Sequence, residues 1–163
     1  MNADAFRHFY EYHFTENRRM WETSIMPLTH EQFTRPVGYS HGSVRDQIVH
    51  LMSVDDTWFS ELRGVEPSEP YLPAGFDDRA TIRAYWDTVE QNMRGYLAAL
   101  RDEMLFDRPI EEPVEDRDLI VWQVLLHVVN HGTDHRAQLL RLLNDLGVRT
   151  SSQDYIFYVY DNL

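Results

Sequence analysis

Prolines and glycines cut this chain into long segments whose apolar spacing is helical. From about Ala3 to Met26, Phe6, Phe9, Tyr10, Phe14, Met20, Trp21 and Ile25 recur every three or four residues, the period of one helix face. Pro27 ends that run, because a residue before proline is pushed out of helical backbone. The stretch "PLTHEQFTRPVGYSHG" reads as a turn-rich linker. Ser43 is a good N-cap for a second helix, with Asp46 three residues on to hold first-turn amides and oppose the macrodipole. Val44, Ile48, Leu51, Met52, Phe59 and Leu62 carry that helix to about Arg63, before Gly64. After the proline-rich loop "GVEPSEPYLPAGF", Asp77 or Asp78 caps a third helix reaching about Leu100. Pro109 and Pro113 forbid a continuous helix through "FDRPIEEPVEDRD". A fourth helix follows from about Asp118 to Leu146, with Gly147 as its C′ residue. The aromatic tail "SSQDYIFYVYDNL" is expected to pack back as a short helix or turn. No segment alternates as a strand would. The fold expected is therefore all-α, a four-helix bundle in one domain over residues 1–163, with helices at about 3–26, 43–63, 78–100 and 118–146.

Charge and composition exclude several functions. The formal net charge is −12, the wrong sign for a protein that holds phosphate backbones, so no nucleic-acid partner is expected. The chain has no cysteine, which removes disulfides, thiolate metal ligands and a cysteine nucleophile together, and fits a reducing cytoplasm. The first residues lack a basic-then-apolar leader, and no apolar run nears the roughly 20 residues that span a bilayer. A cytoplasmic protein without membrane contact is expected.

The chemistry concentrates in histidine. His127, His131 and His135 stand four apart in the fourth segment, and residues four apart share a helix face. His131 and His135 can direct two imidazole nitrogens at one ion. A third ligand has to come from another helix, because further residues along one column move away from the ion. His50, near the middle of the second helix, is the best candidate. Three neutral imidazoles would leave coordination positions open, as catalytic sites do, and would suit Zn, Ni, Fe or Mn. The competing reading is ordinary core packing of hydrogen-bonded histidines. His127 is assigned to the surroundings of the site or to packing against Trp122. Asp134 is a candidate partner of a ligand, and Asp46 a candidate ligand or orienter of His50, or simply a first-turn acid. His13 and Asn17 form another polar pair four apart on the inward side of the first helix, where Asn17 could face the site or bond locally. His8, His30 and His41 are assigned to the surface or to loops. No nucleophile elbow, phosphate-binding glycine loop or HExxH pattern is present.

At these residues the chain resembles the DinB/YfiT-like family of metal-dependent bundle proteins. The likeness is strongest in "HVVNHGTDHRAQLLRLLNDLG" (127–147), then in "GYSHGSVRDQIVHLMSVDDTWFSEL" (38–62), with a weaker match in "YHFTENRRMWE" of the first helix. The resemblance implies an up-down-down-up four-helix bundle, commonly a homodimer. It also implies a divalent metal held by one histidine of helix two and two of helix four, here His50, His131 and His135. Relatives include S-transferases and an isomerase that use a low-molecular-weight thiol. The implied function is thus a metal-dependent transferase for a small-molecule substrate, acting in stress response or detoxification. In such a mechanism the metal lowers the pKa of the thiol co-substrate and presents a thiolate to an electrophile. The alternatives are a metal-dependent hydrolase on the same site and a non-enzymatic metal-binding or structural dimeric bundle.

Overall fold

The computed structural model describes residues 1–66 and 78–163, and every regular element among them is helical. The first helix, α1 (Ala3–Met20), is capped by Asn2, whose side chain accepts from the Ala5 N–H at 2.9 Å. Asp4 at its start and Arg18 and Arg19 at its end complement the macrodipole. It runs on into a single π-helical turn at Trp21–Ile25, closed by the Met26 N–H on the Trp21 carbonyl at 2.9 Å. The wider turn keeps Trp21, Ser24 and Ile25 all buried before Pro27 stops the chain.

A short helix, α2 (His30–Thr34), lies inside the stretch that turn formers mark as linker. A reciprocal capping box between Thr29 and Gln32 forms it, and buried Phe33 anchors it. Ser43 and Asp46 likewise build a capping box for α3 (Val44–Leu62). Asp78 caps α4 (Arg79–Ala99), accepting from the Thr81 N–H at 3.0 Å. The alternative cap, Asp77, and most of the proline-rich loop before it lie outside the described residues. After a 3-10 turn at Asp102–Phe106, α5 (Val121–Asp145) starts three residues later than Asp118. The reason is local: Ile120 is extended, and the Val121 N–H bonds out to the Asp107 carbonyl at 3.1 Å. Gln123 then reaches back to the Ile120 N–H at 3.1 Å and opens the helix. The tail forms α6 (Tyr155–Asp161).

The helix α1 packs against both α4 and α5, and so does α3. Their shared core is aromatic and aliphatic: Phe6, Tyr10, Phe14 and Trp21 meet Ile48, Leu51, Met52, Phe59, Trp86, Met93, Leu125, Val128 and Leu139. Each such side chain contributes about 1.5–3 kcal/mol when fully buried. Polar ties set how the helices seat. The Tyr10 hydroxyl donates to the Leu125 carbonyl at 3.0 Å, joining α1 to α5. Arg7 donates to the Leu97 and Leu100 carbonyls, satisfying acceptors that the end of α4 leaves open. The α6 helix lies on α1, where Tyr155 stacks on Phe9 at 5.0 Å and meets Tyr12 edge-on. No helix among the described residues is long and apolar enough to cross a membrane.

Candidate metal centre

The contact between α3 and α5 brings histidines from three parts of the chain together. From α3 comes His50, and from α5 His131 and His135, one turn apart. The Nε2 atoms of His50 and His131 are 3.2 Å apart. The His135 ring lies 4.2 Å from that of His131 and 4.6 Å from that of His50, centre to centre. The three residues expected as ligands therefore meet. A fourth joins them: His41, on the loop before α3, stacks on His50 at 3.6 Å with the planes 16° apart. His41, His50 and His135 each offer a nitrogen within 4.8 Å of the other two, a group that could hold a metal ion. His131 enters the cluster through His50 and His135.

The environment keeps these imidazoles neutral. Burial first, then the neighbouring His41 and His135 rings, pulls His50 down to about 4. Burial together with the imidazoles of His135 and His50 takes His131 down to about 3. His135 is lowered too, by burial and then His41, with Asp134 pulling slightly the other way. A neutral imidazole offers one lone pair, and metal binding requires it. The Nδ1 of His135 lies 3.4 Å from the Gln47 carbonyl oxygen. With its hydrogen there, Nε2 is left as the donor nitrogen, the arrangement that orients a metal-bound histidine. The Nδ1 of His131 is buried without a partner, so the hydrogen-bonding contact of that ring is the one its Nε2 makes with His50. Neutral nitrogen donors brought together from two helices and a loop fit a divalent metal ion.

The other expected neighbours divide. His127 sits on the exposed rim, edge-on to Trp58 at 5.2 Å and 5.8 Å from His131; its aromatic contact is Trp58 rather than Trp122. Asp46 is occupied at the start of α3, where its carboxylate accepts from the Ser43 N–H at 3.2 Å and from Arg45 Nε at 3.0 Å. Asp134 accepts from Gln138 Nε2 at 2.9 Å, and Gln138 in turn accepts from the Ser40 hydroxyl. Asp134 thus helps to tether the loop that carries His41.

Asn17 belongs to a buried polar network on the α1 side of α5. Arg136, 1% exposed, donates to Asn17 Oδ1 at 3.0 Å and to His13 Nδ1 at 3.1 Å. Because His13 Nδ1 accepts, its Nε2 carries the hydrogen and donates to Asp55 Oδ2 at 3.3 Å. Arg136 also bonds Thr133 and Gln153. His13 packs on Gly132, where an added Cβ would lie only 2.6 Å from His13 Nδ1. The Gly between the two positions His131 and Arg136 is therefore a close-approach point between α1 and α5. Sequence reasoning missed this use of Arg136 and missed His41; an arginine in a polar helix and a histidine in a glycine-flanked loop carry no periodic signal. A groove of 610 Å³, lined among others by Arg35, Tyr39, Val44, Arg141 and Leu142, also flanks the His41 loop, and no histidine lines it.

These histidines sit in a chain similar throughout to known proteins. It is 23% identical to Protein DinB of Bacillus subtilis (strain 168) over 167 residues, covering 98% of this chain and 96% of that protein. The sequence profile of the DinB family matches residues 1–162. With a match from end to end on an all-helical fold, the chain belongs to the DinB family.

Proposed function

We propose that this protein is a divalent-metal enzyme of the thiol-dependent S-transferase type, acting on a small electrophile in stress response or detoxification. In this reading the four long helices form one up-down-down-up bundle domain, and His50, His131 and His135 hold the ion. The observation that carries it is the 3.2 Å separation of the His50 and His131 Nε2 atoms. Two nitrogens bound to one ion at about 2.0–2.1 Å lie about 2.8–3.0 Å apart in cis octahedral geometry and about 3.3–3.4 Å apart in tetrahedral geometry. Without an ion, two neutral rings at that distance share an Nε2–H···Nε2 hydrogen bond, which a bound ion would replace.

A bound divalent ion would supply the Lewis acidity that holds a coordinated thiol as thiolate. The residues of this chain do the rest. Gln47 fixes the donor nitrogen of His135, and the depressed basicity of His50 and His131 keeps both lone pairs free of protons near neutrality. Since the chain has no cysteine, the nucleophilic sulfur must arrive as a co-substrate. Exposed His41 and His127 border the histidines, so a small thiol can approach from solvent. The transfer forms a sulfur–carbon bond to the electrophile, whose leaving group departs with the bonding pair; the thiol proton goes to solvent.

Metal analysis of the purified protein tests the centre, with about one ion per chain expected. A screen of small thiols against a model aryl halide then tests the chemistry. Thiol consumption should require metal and disappear in His135→Ala. Equal rates with and without the fully loaded protein would leave a non-enzymatic metal-binding bundle as the better reading. Ile156, Phe157 and Tyr160, exposed along α6, favour a homodimer, for which scattering mass in solution is the check.

A further inference from the structure

The loop before α3 does more than connect helices. Residues 38–43 hold their shape through two left-handed backbone positions, Ser40 at φ 51° and Gly42 at φ 95°. Between them stands His41. Its neighbours are pinned on both sides: Ser40 donates to Gln138 on α5, and Ser43 N–H donates to Asp46 at 3.2 Å. Gln138 is itself fixed by its bond to Asp134 at 2.9 Å. The tether thus joins the loop to the helix that carries His131 and His135. The result is an exposed imidazole stacked on His50 at 3.6 Å and 5.2 Å from the His135 ring centre.

We propose that His41 is a fourth, displaceable metal ligand, which closes the centre at rest and gives up its position to an incoming thiol. This rests on the metal centre proposed above. A ring nitrogen of His41 lies within 4.8 Å of a ring nitrogen of His50 and of one of His135. Four nitrogens bound tetrahedrally at about 2.1 Å would be about 3.4 Å apart, so His41 must turn out of its stack on His50 to aim a lone pair at a shared ion. The helix-borne histidines are held by their neighbours in the bundle. His41 has solvent on its outer side and a loop backbone behind it, so it can leave without disturbing the core. A ligand that leaves in this way keeps water off the resting ion and makes entry of a stronger donor the step that opens the site.

Cobalt(II) reports coordination number through its visible absorption, so it tests the assignment without any assay of turnover. Wild-type protein and His41→Ala are titrated with cobalt(II), and each loaded form is then titrated with 2-mercaptoethanol. The wild type is expected to show the strong d–d bands of a four-coordinate ion. The variant should show weaker bands of higher coordination and a cobalt affinity at least ~10-fold lower. If His41 occupies its position about nine-tenths of the time, thiol should bind the variant ~10-fold more tightly, because a ligand pays for the fraction of sites closed to it. Ser40→Ala, which only loosens the tether, should move both readings in the same direction by less. Identical spectra and affinities in wild type and His41→Ala would overturn the His41 assignment while leaving the three-histidine centre standing. Failure of the wild type to bind cobalt(II) would overturn both.

Discussion

A methyl group at position 132 would overlap His13 Cε1 and come within 3.2 Å of Arg136 Nη1. Gly132 costs its helix about 1 kcal/mol relative to alanine, so an exposed helical position would gain from the substitution. Here the neighbours are a buried imidazole and a buried guanidinium that cannot move without breaking the bonds to Asp55 and Asn17. Gly132→Ala is therefore expected to destabilise the protein by about 1–3 kcal/mol, as read from urea denaturation. A neutral or stabilising effect would mean that His13 is not fixed there. The histidines of the centre give a second residue-scale prediction. His50 and His131 have folded pKa values of about 4 and about 3, below the ordinary value of 6.5. The unfolded chain thus binds protons at a higher pH than the folded one, and stability falls as acid is added. In metal-free protein this loss should begin near pH 6.5 and continue to about pH 3–4, and it should shrink in His131→Ala. Melting temperatures across that range check it.

At the scale of the element, α3 depends on its start. Ser43 and Asp46 satisfy each other's amides there, and the same residues end the loop that carries His41. Ser43→Ala should cost about 1 kcal/mol, and it should also loosen the loop that carries His41. Hydrogen exchange of the first turn of α3 would show it. Tyr155 and Tyr158 of α6 pack on His8, Phe9 and Tyr12, while Ile156, Phe157 and Tyr160 of the same helix are exposed. Truncation after Gln153 should leave the centre able to bind metal and lower the melting temperature. Should it abolish metal binding as well, α6 would have to support α5 more directly than its ring contacts imply. Helical periodicity made the long helices legible from residues such as Ile48, Leu51 and Met52. The π turn at Trp21–Ile25 and the short α2 were not, because they depend on where buried Ile25 and Phe33 find room.

For the whole molecule, the proposed centre would couple metal binding to folding, since the histidines of α3 and α5 meet only when those helices pack. Zinc at 1,000 times its dissociation constant should stabilise the fold by about 4 kcal/mol, and His131→Ala should lose most of that gain. A chelator-reversible shift in melting temperature measures it; an unchanged melt would count against the centre. The sequence by itself determined the long helices, their breaks and the face on which His131 and His135 stand, because helical geometry relates residues three and four apart without reference to the rest of the chain. Likeness to a family pointed to His50. Only the tertiary structure placed His50 Nε2 3.2 Å from His131, laid His41 over them and enclosed Arg136 with His13, Asn17 and Asp55. Those contacts join residues about 40 or more positions apart or hang on the path of a loop, and no local period records either.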